Sequence, residues 1–320
     1  MKASIPVIAV TIFTLVSVSC GPSPFVVAVL NPSNHGDQIV QMVEREIATG
    51  NPDREVILRY EGQTRDAAEL ARMAAGYRED DVDAFLVMTQ FAVDIAVDAR
   101  DEAPIPVVAW TMDPPEAVGA DPDSGLSDRG VTGVFPGFAL TPAEEKRLEW
   151  LTRLSPDTST VYVPYNPADV DLVQGLDAFE KTAEALGLTL LLEPIRTPED
   201  AARSAAAIPN EADAVFLFGD RNIGTARKAY YANAIDRGLP LTAPNAASVR
   251  EGALFSYSFS NASVASILAN SINALASGRA VETIPFQVPD FELSINLDTA
   301  HAIGLEIDES VLDAAAIIVE

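Results

Sequence analysis

A carboxylate, a guanidinium and an amide follow one another at Asp220, Arg221 and Asn222, directly after the apolar run 215–218 and the turn residue Gly219. A short apolar run bounded by turn residues suits a strand buried on both faces of a parallel sheet. Asp220 then stands where the carboxyl end of that strand opens into a crevice, the place where open α/β sheets bind ligands. A carboxylate there has two uses: it caps the helix that resumes at Ile223, or it accepts hydrogen bonds from a cationic group of a ligand. Arg221 either pairs with Asp220 and masks it or offers a site to an anion.

Few other residues carry reactive chemistry. The two histidines, His35 and His301, lie far apart in the chain, and His301 falls on a short helix where a surface role is favoured. The acidic run at residues 79–81 reads as a solvated loop. The single cysteine, Cys20, ends a leader, MKASIPVIAVTIFTLVSVSC, with one lysine and an apolar stretch over 5–18. This is the order of a cleaved export signal and is short for a membrane span. A small residue before the cysteine matches a lipobox, with Ser17 where an aliphatic residue is usual, so Cys20 is the expected lipid-attachment site. Plain secretion and a retained anchor are the alternatives. With Cys20 consumed, disulfides, thiolate metal sites and cysteine nucleophiles are excluded from the mature chain. No Walker loop, no GxGxxG after the first strand, no GxSxG elbow and no HExxH occurs, and neither a cofactor nor a metal site is expected.

These residues are set in a chain of 320 residues with a net charge of −26 and a pI near 4.2. Such a surface repels phosphate backbones and anionic lipid heads, which argues against nucleic acid and polybasic membrane contacts. The length favours two domains. Strand and helix patterns alternate from residue 25: FVVAVL (25–30), EVILRY (55–60), AFLVMT (84–89), PVVAWT (106–111) and VTGVF (131–135), with helical spacing between them. Parallel neighbours need crossovers, so the first five strands predict a doubly wound sheet. The rhythm then restarts with STVYVPY (159–165), TLLLEP (189–194), 214–218, LPLTAP (239–244) and ALFSYSF (253–259). A last long helix over 261–277 precedes two short strands, 284–288 and 291–297, and small helices near 299–303 and 310–315. Two lobes of similar architecture, crossed several times by the chain and meeting at a cleft, are the expectation.

VTGVF, VYVPYNP, AVFLFGDRN and the tail FELSINLDTAHAIGLEIDESVLDAAAIIVE together resemble the ABC-transporter substrate-binding proteins of the tryptophan/tyrosine-binding type, a bacterial lipoprotein family. The resemblance implies a type I periplasmic-binding-protein fold: two Rossmann-like α/β lobes, a hinge of three crossings and a ligand in the cleft. By that analogy the signal spans 1–20, lobe one 25–138 plus 259–284, and lobe two 139–258 plus 285–320. Carried over position by position, the ligand-binding set is Thr89 and Gln90, Thr111 and Asp113, Phe135, Tyr165 and Asn166, Asp220 and Asn222, and Asn245. Three departures stand out. Arg221 interrupts an Asp-Asn pair, Asn245 replaces an acidic residue, and the first loop, NPSNH, is unlike the family pattern.

An amino acid bound in that cleft needs replacements for the water around both its charges. Asp220 would accept from the ammonium, Thr89 at a strand-to-helix junction would serve the carboxylate, and Phe135, Phe138 and Tyr165 would wall the apolar part. Plainer roles stay open: Thr89 as a helix cap, Asp113 before Pro114 as a turn, Tyr165 and the phenylalanines as core. The expected function is an exported receptor, not an enzyme, delivering a small solute, an aromatic or other hydrophobic amino acid foremost, to an ABC permease with its ATPase. A receptor serving a membrane sensor and a two-lobed isomerase are the rival readings.

Overall fold

The computed structural model describes residues 23–33, 36–50, 54–98, 105–112, 115–121, 123–136 and 142–320. Cys20, His35, Asp113 and Phe138 lie outside them. Twelve strands occur among the described residues: β1 (Phe25–Leu30), β2 (Val56–Arg59), β3 (Ala84–Met88), β4 (Val107–Trp110), β5 (Val131–Val134), β6 (Thr160–Tyr165), β7 (Thr189–Pro194), β8 (Ala214–Phe216), β9 (Leu241–Thr242), β10 (Phe255–Phe259), β11 (Phe291–Asn296) and β12 (Ala315–Val319). The helices are α1 (Gly36–Thr49), α2 (Ala67–Glu79), α3 (Gln90–Asp98), α4 (Pro142–Leu154), α5 (Val170–Ala185), α6 (Pro198–Ala206), α7 (Arg221–Thr225), α8 (Arg227–Asp236), α9 (Ala246–Arg250), α10 (Asn261–Ala276), α11 (Leu297–Ala302) and α12 (Glu309–Asp313).

The strands form two sheets, ordered β2-β1-β3-β4-β5 and β12-β11-β10-β9-β8-β6-β7. All pairs are parallel except β10 with β11. Both sheets carry helices on two faces, so the inner strands are apolar without alternation, as β3 (AFLVM) is, buried at every position. Helices α1 and α10 pack together over the first sheet, where Val43, Ile47, Leu268 and Ile272 share one core with Val27 and Leu86. In the second lobe Phe179, Phe216 and Phe218 meet edge-on at centroid distances of 5.0–5.2 Å and fill the core beneath α4 and α5.

The helices start where the sequence signals them. Thr197 and Asp200 form a reciprocal capping box with Pro198 in the first turn of α6, and Gly187, at φ +76°, follows the end of α5. Two expectations differ in the tail. Residues 284–288 do not form a strand: they cross between the lobes with a single bridge, Val134 to Gln287. The amide of Phe135 donates to Gln287 O at 3.0 Å, and the amide of Ser260 donates to Asp290 O at 2.7 Å, so the three crossings are laced together. Residues 315–319, where the sequence predicts no strand, form the edge strand β12, paired in parallel with β11.

Candidate functional site

On lobe one, β3 ends at Met88 and α3 begins at Gln90, which leaves Thr89 to turn the chain. Its φ is +116°, a conformation that costs a non-glycine residue about 1–3 kcal/mol. The amide of Thr89 donates to Trp110 O at 2.8 Å, and its carbonyl accepts from Ala92 and Val93. The side chain caps nothing. Thr89 Oγ1 and Gln90 Oε1 are both buried without a partner, while Gln90 Nε2 bonds Asp94 and Ala117 O, each at 3.3 Å. Strain and unsatisfied acceptors therefore meet at the cleft end of β3. Thr111 and Phe135 have sunk into the first lobe, 1% and 9% exposed.

On lobe two, β8 leads through Gly219 to Asp220, and α7 follows. Asp220 Oδ1 accepts from the amides of Asn222 at 2.7 Å and Ile223 at 3.0 Å, and Oδ2 accepts from Asn166 Nδ2 at 2.9 Å. These donors occupy three of the roughly four lone-pair positions of a carboxylate. Asp220 is thus a helix cap clamped to the loop after β6, and Arg221 points outward, exposed. Asn222 Nδ2 donates to Arg196 O at 3.1 Å. Tyr165 is half-buried against the lobe-two core. Asn245 caps α9, accepting from the amide of Ser248 at 3.0 Å.

Behind the clamp sits a buried charge. Arg147 on α4 is 1% exposed, its guanidinium 3.9 Å from the Phe216 ring centroid, with Nη2 donating to Leu217 O at 2.7 Å and Nη1 3.1 Å from Glu144. Burial raises the Glu144 carboxyl to about 7, against the pull of Arg147. Arg147 ties the end of β8 to α4, and Asp220 follows three residues later.

The two lobes share a cavity of about 440 Å³ beside the crossings, within the size range of small-molecule sites, about 300–1,000 Å³. Of the residues expected to bind ligand, Asn245 lines it. Asn166 and Asp220 meet each other, and a Cβ on Gly219 would lie 3.6 Å from Pro244 Cβ, so that pair adjoins the Asn245 loop. Thr89 and Gln90 stand together on the opposite lobe. Other polar walls of the cavity, Gln38, Arg250, Asn261 and Glu292 among them, escaped the sequence reading, as did Trp110. No local motif announces them: they come from α1, α9, the start of α10 and β11, and only the sheet order brings them together.

Among curated proteins no sequence matches the chain. Solved structures do match in fold. A ligand-free, open substrate-binding protein with adhesive properties from Clostridium difficile aligns at TM-score 0.77 and 16% identity, over 93% of this chain and 99% of that one. The ABC domain in complex with L-Trp from Streptococcus pneumonia aligns at 0.67 and 19% identity, over 92% and 99%. A solute-binding protein of an ABC transporter from Agrobacterium vitis, bound with alpha-D-tagatopyranose, aligns at 0.57 and 17% identity, over 92% and 99%. These confirm the type I periplasmic-binding-protein fold. A family model for ABC transporter substrate binding proteins matches residues 41–319, and the chain belongs to that family.

Proposed function

We propose that the chain is an exported receptor for a small zwitterionic solute, an amino acid with an apolar side chain foremost, which it carries to an ABC permease. The observation that supports this most is the cavity between the lobes, which combines aromatic and aliphatic walls with a few polar side chains. Thr89, Gln90, Asn166, Asp220, Asn222 and Asn245 form the polar rims that close over the solute, and the laced crossings serve as the hinge. The receptor performs no chemistry on its cargo. No helix of the described residues is long and apolar enough to cross a membrane, and a lipid on Cys20 supplies the attachment.

A thermal-shift screen of residues 21–320 against amino acids, sugars, nucleosides, amines and small carboxylates tests the reading, because a solute bound only by the folded state raises the melting temperature. Shifts with aromatic or branched amino acids support it. Shifts confined to sugars would leave the receptor fold and overturn the solute class. Mass spectrometry of the membrane fraction tests Cys20: an acylated amino-terminal cysteine supports the anchor, and an unmodified processed chain refutes it.

A further inference from the structure

The walls of the interlobe cavity carry two opposite charges that are not spent on each other. Arg250, at the end of α9, and Glu292, on β11, both line it, and neither side chain pairs with a described residue. Several other arginines are engaged, as Arg54 is with Asp83, Arg227 with Glu251, and Arg237 with Ile208 O, whereas Arg250 faces the cavity. In a chain with 47 acidic against 21 basic residues, an unpaired arginine within one cavity of an unpaired glutamate is a separated charge pair. A molecule that carries both charges completes it.

The remaining walls mix polar side chains, Gln38, Asn245 and Asn261 among them, with an apolar face. On that face Trp110 meets Phe259 edge-on at 6.3 Å, and Phe259 in turn meets Phe291, which is not part of the lining, at 6.5 Å. Met42 of α1 faces the same space. We propose that this cavity is the head-group site: Arg250 binds the carboxylate of an amino-acid solute, Glu292 binds its ammonium, and Trp110 and Phe259 bound its side chain. This deepens the amino-acid reading and rests on it. The guanidinium fork suits a carboxylate in a two-bond grip, and an ammonium on a carboxylate is the matching charge-assisted pair. The division also fits Asp220, whose carboxylate is largely committed to capping α7 and holding Asn166. Because Gln38, Met42 and Trp110 come from one lobe and Arg250 and Glu292 from the other, the contacts change with the angle between the lobes. Solute binding and closure are therefore linked.

The test measures affinities of the full mature chain for L-tryptophan, L-tryptophanamide, which lacks the carboxylate, and indole-3-propionate, which lacks the amine. The wild type is expected to prefer tryptophan to both by tenfold or more. Arg250→Gln should erase the preference over the amide while keeping that over the acid, and Glu292→Gln should do the reverse. Both side chains are at least partly solvent-exposed, and circular dichroism checks that each variant folds. Unchanged preferences in both variants would overturn this assignment and leave the amino-acid reading intact. A wild type that does not prefer tryptophan would overturn the amino-acid reading itself, and this assignment with it.

Discussion

Asp220 shows how a residue type can be legible while its use is not. Its position after a buried strand and a glycine marks a carboxylate at the strand's carboxyl end, and there the structure has it as the N-cap of α7. The geometry then gives the carboxylate two backbone donors from α7 and a side-chain donor from Asn166, a loop 54 residues earlier in the chain. Asp220→Ala should cost about 1–2 kcal/mol of stability in ligand-free protein, the usual loss for an N-cap, by denaturant unfolding. Combined with Asn166→Ala in a double-mutant cycle, the coupling should be on the order of 1 kcal/mol. A coupling near zero would mean that Asn166 and Asp220 do not clamp the rim in solution. Thr89 is the converse case: its type and position suggested a cap, yet its hydroxyl caps nothing and its backbone is strained. Nothing in a Met-Thr-Gln sequence announces a positive φ, and the partner of the Thr89 amide, Trp110 O, lies on the neighbouring strand, outside the local sequence.

Among the elements, the parallel strands and their helices were legible because burial on two faces writes continuous apolar runs and capped, periodic segments into the chain. The VTGV stretch that carries part of the family resemblance has a physical cause. Gly133 in β5 sits at φ +145°, and a Cβ there would lie 1.9 Å from the carbonyl oxygen of Ala109 on β4. Gly133→Ala should therefore lose on the order of 3 kcal/mol, because the backbone of the paired strand cannot give way as a side-chain tip would. Unfolding within 0.5 kcal/mol of wild type, a shift of about the size of a surface substitution, would refute the close approach. Strand β12 was missed because its burial alternates and its pairing depends on β11, beyond two intervening short helices. Residues 284–288 misled in the other direction, their apolar character serving a crossing instead of a sheet. Helix α4 holds a feature that composition hides entirely, the Glu144–Arg147 pair under the β8 end. A carboxyl that keeps its proton up to about 7 when folded, against an ordinary 4.5, binds more protons than the unfolded chain in between. Its stabilising contribution is complete below pH 4.5 and is lost as pH rises through 7, by up to about 3 kcal/mol. Asp213, held below its ordinary value by the Ser159 hydroxyl and nearby amides, acts with the opposite sign at lower pH. Denaturant unfolding from pH 5 to 8 should show a decline in the wild type that Glu144→Gln flattens. Equal slopes would show that Glu144 does not titrate in that window.

At the scale of the whole molecule the dominant fact is the charge, −26 on 320 residues. Among the described residues the ion pairs are few and mostly exposed, as with Arg59–Asp80 and Arg203–Asp200, and such pairs contribute at most about 1 kcal/mol each. Self-repulsion among the remaining carboxylates is spread over both lobes and opposes the compact state. Its range is set by salt: the screening length falls from about 30 Å at 0.01 M to about 10 Å at 0.1 M and about 3 Å at 1 M. The melting temperature should therefore rise most steeply between about 0.01 and 0.3 M sodium chloride, where the screening length shrinks from the size of a lobe to that of neighbouring side chains. Sucrose at matched osmolality separates this from solute exclusion, because exclusion raises stability without screening and shows no such early rise. A melting temperature that stays flat or falls over that range would mean the carboxylates are neutralised in some other way than by solvent and salt. The same titration bears on binding. If Arg250 and Glu292 hold the solute inside the closed cavity, its affinity should change less with salt than the stability does, since enclosed charge pairs are screened far less than surface ones.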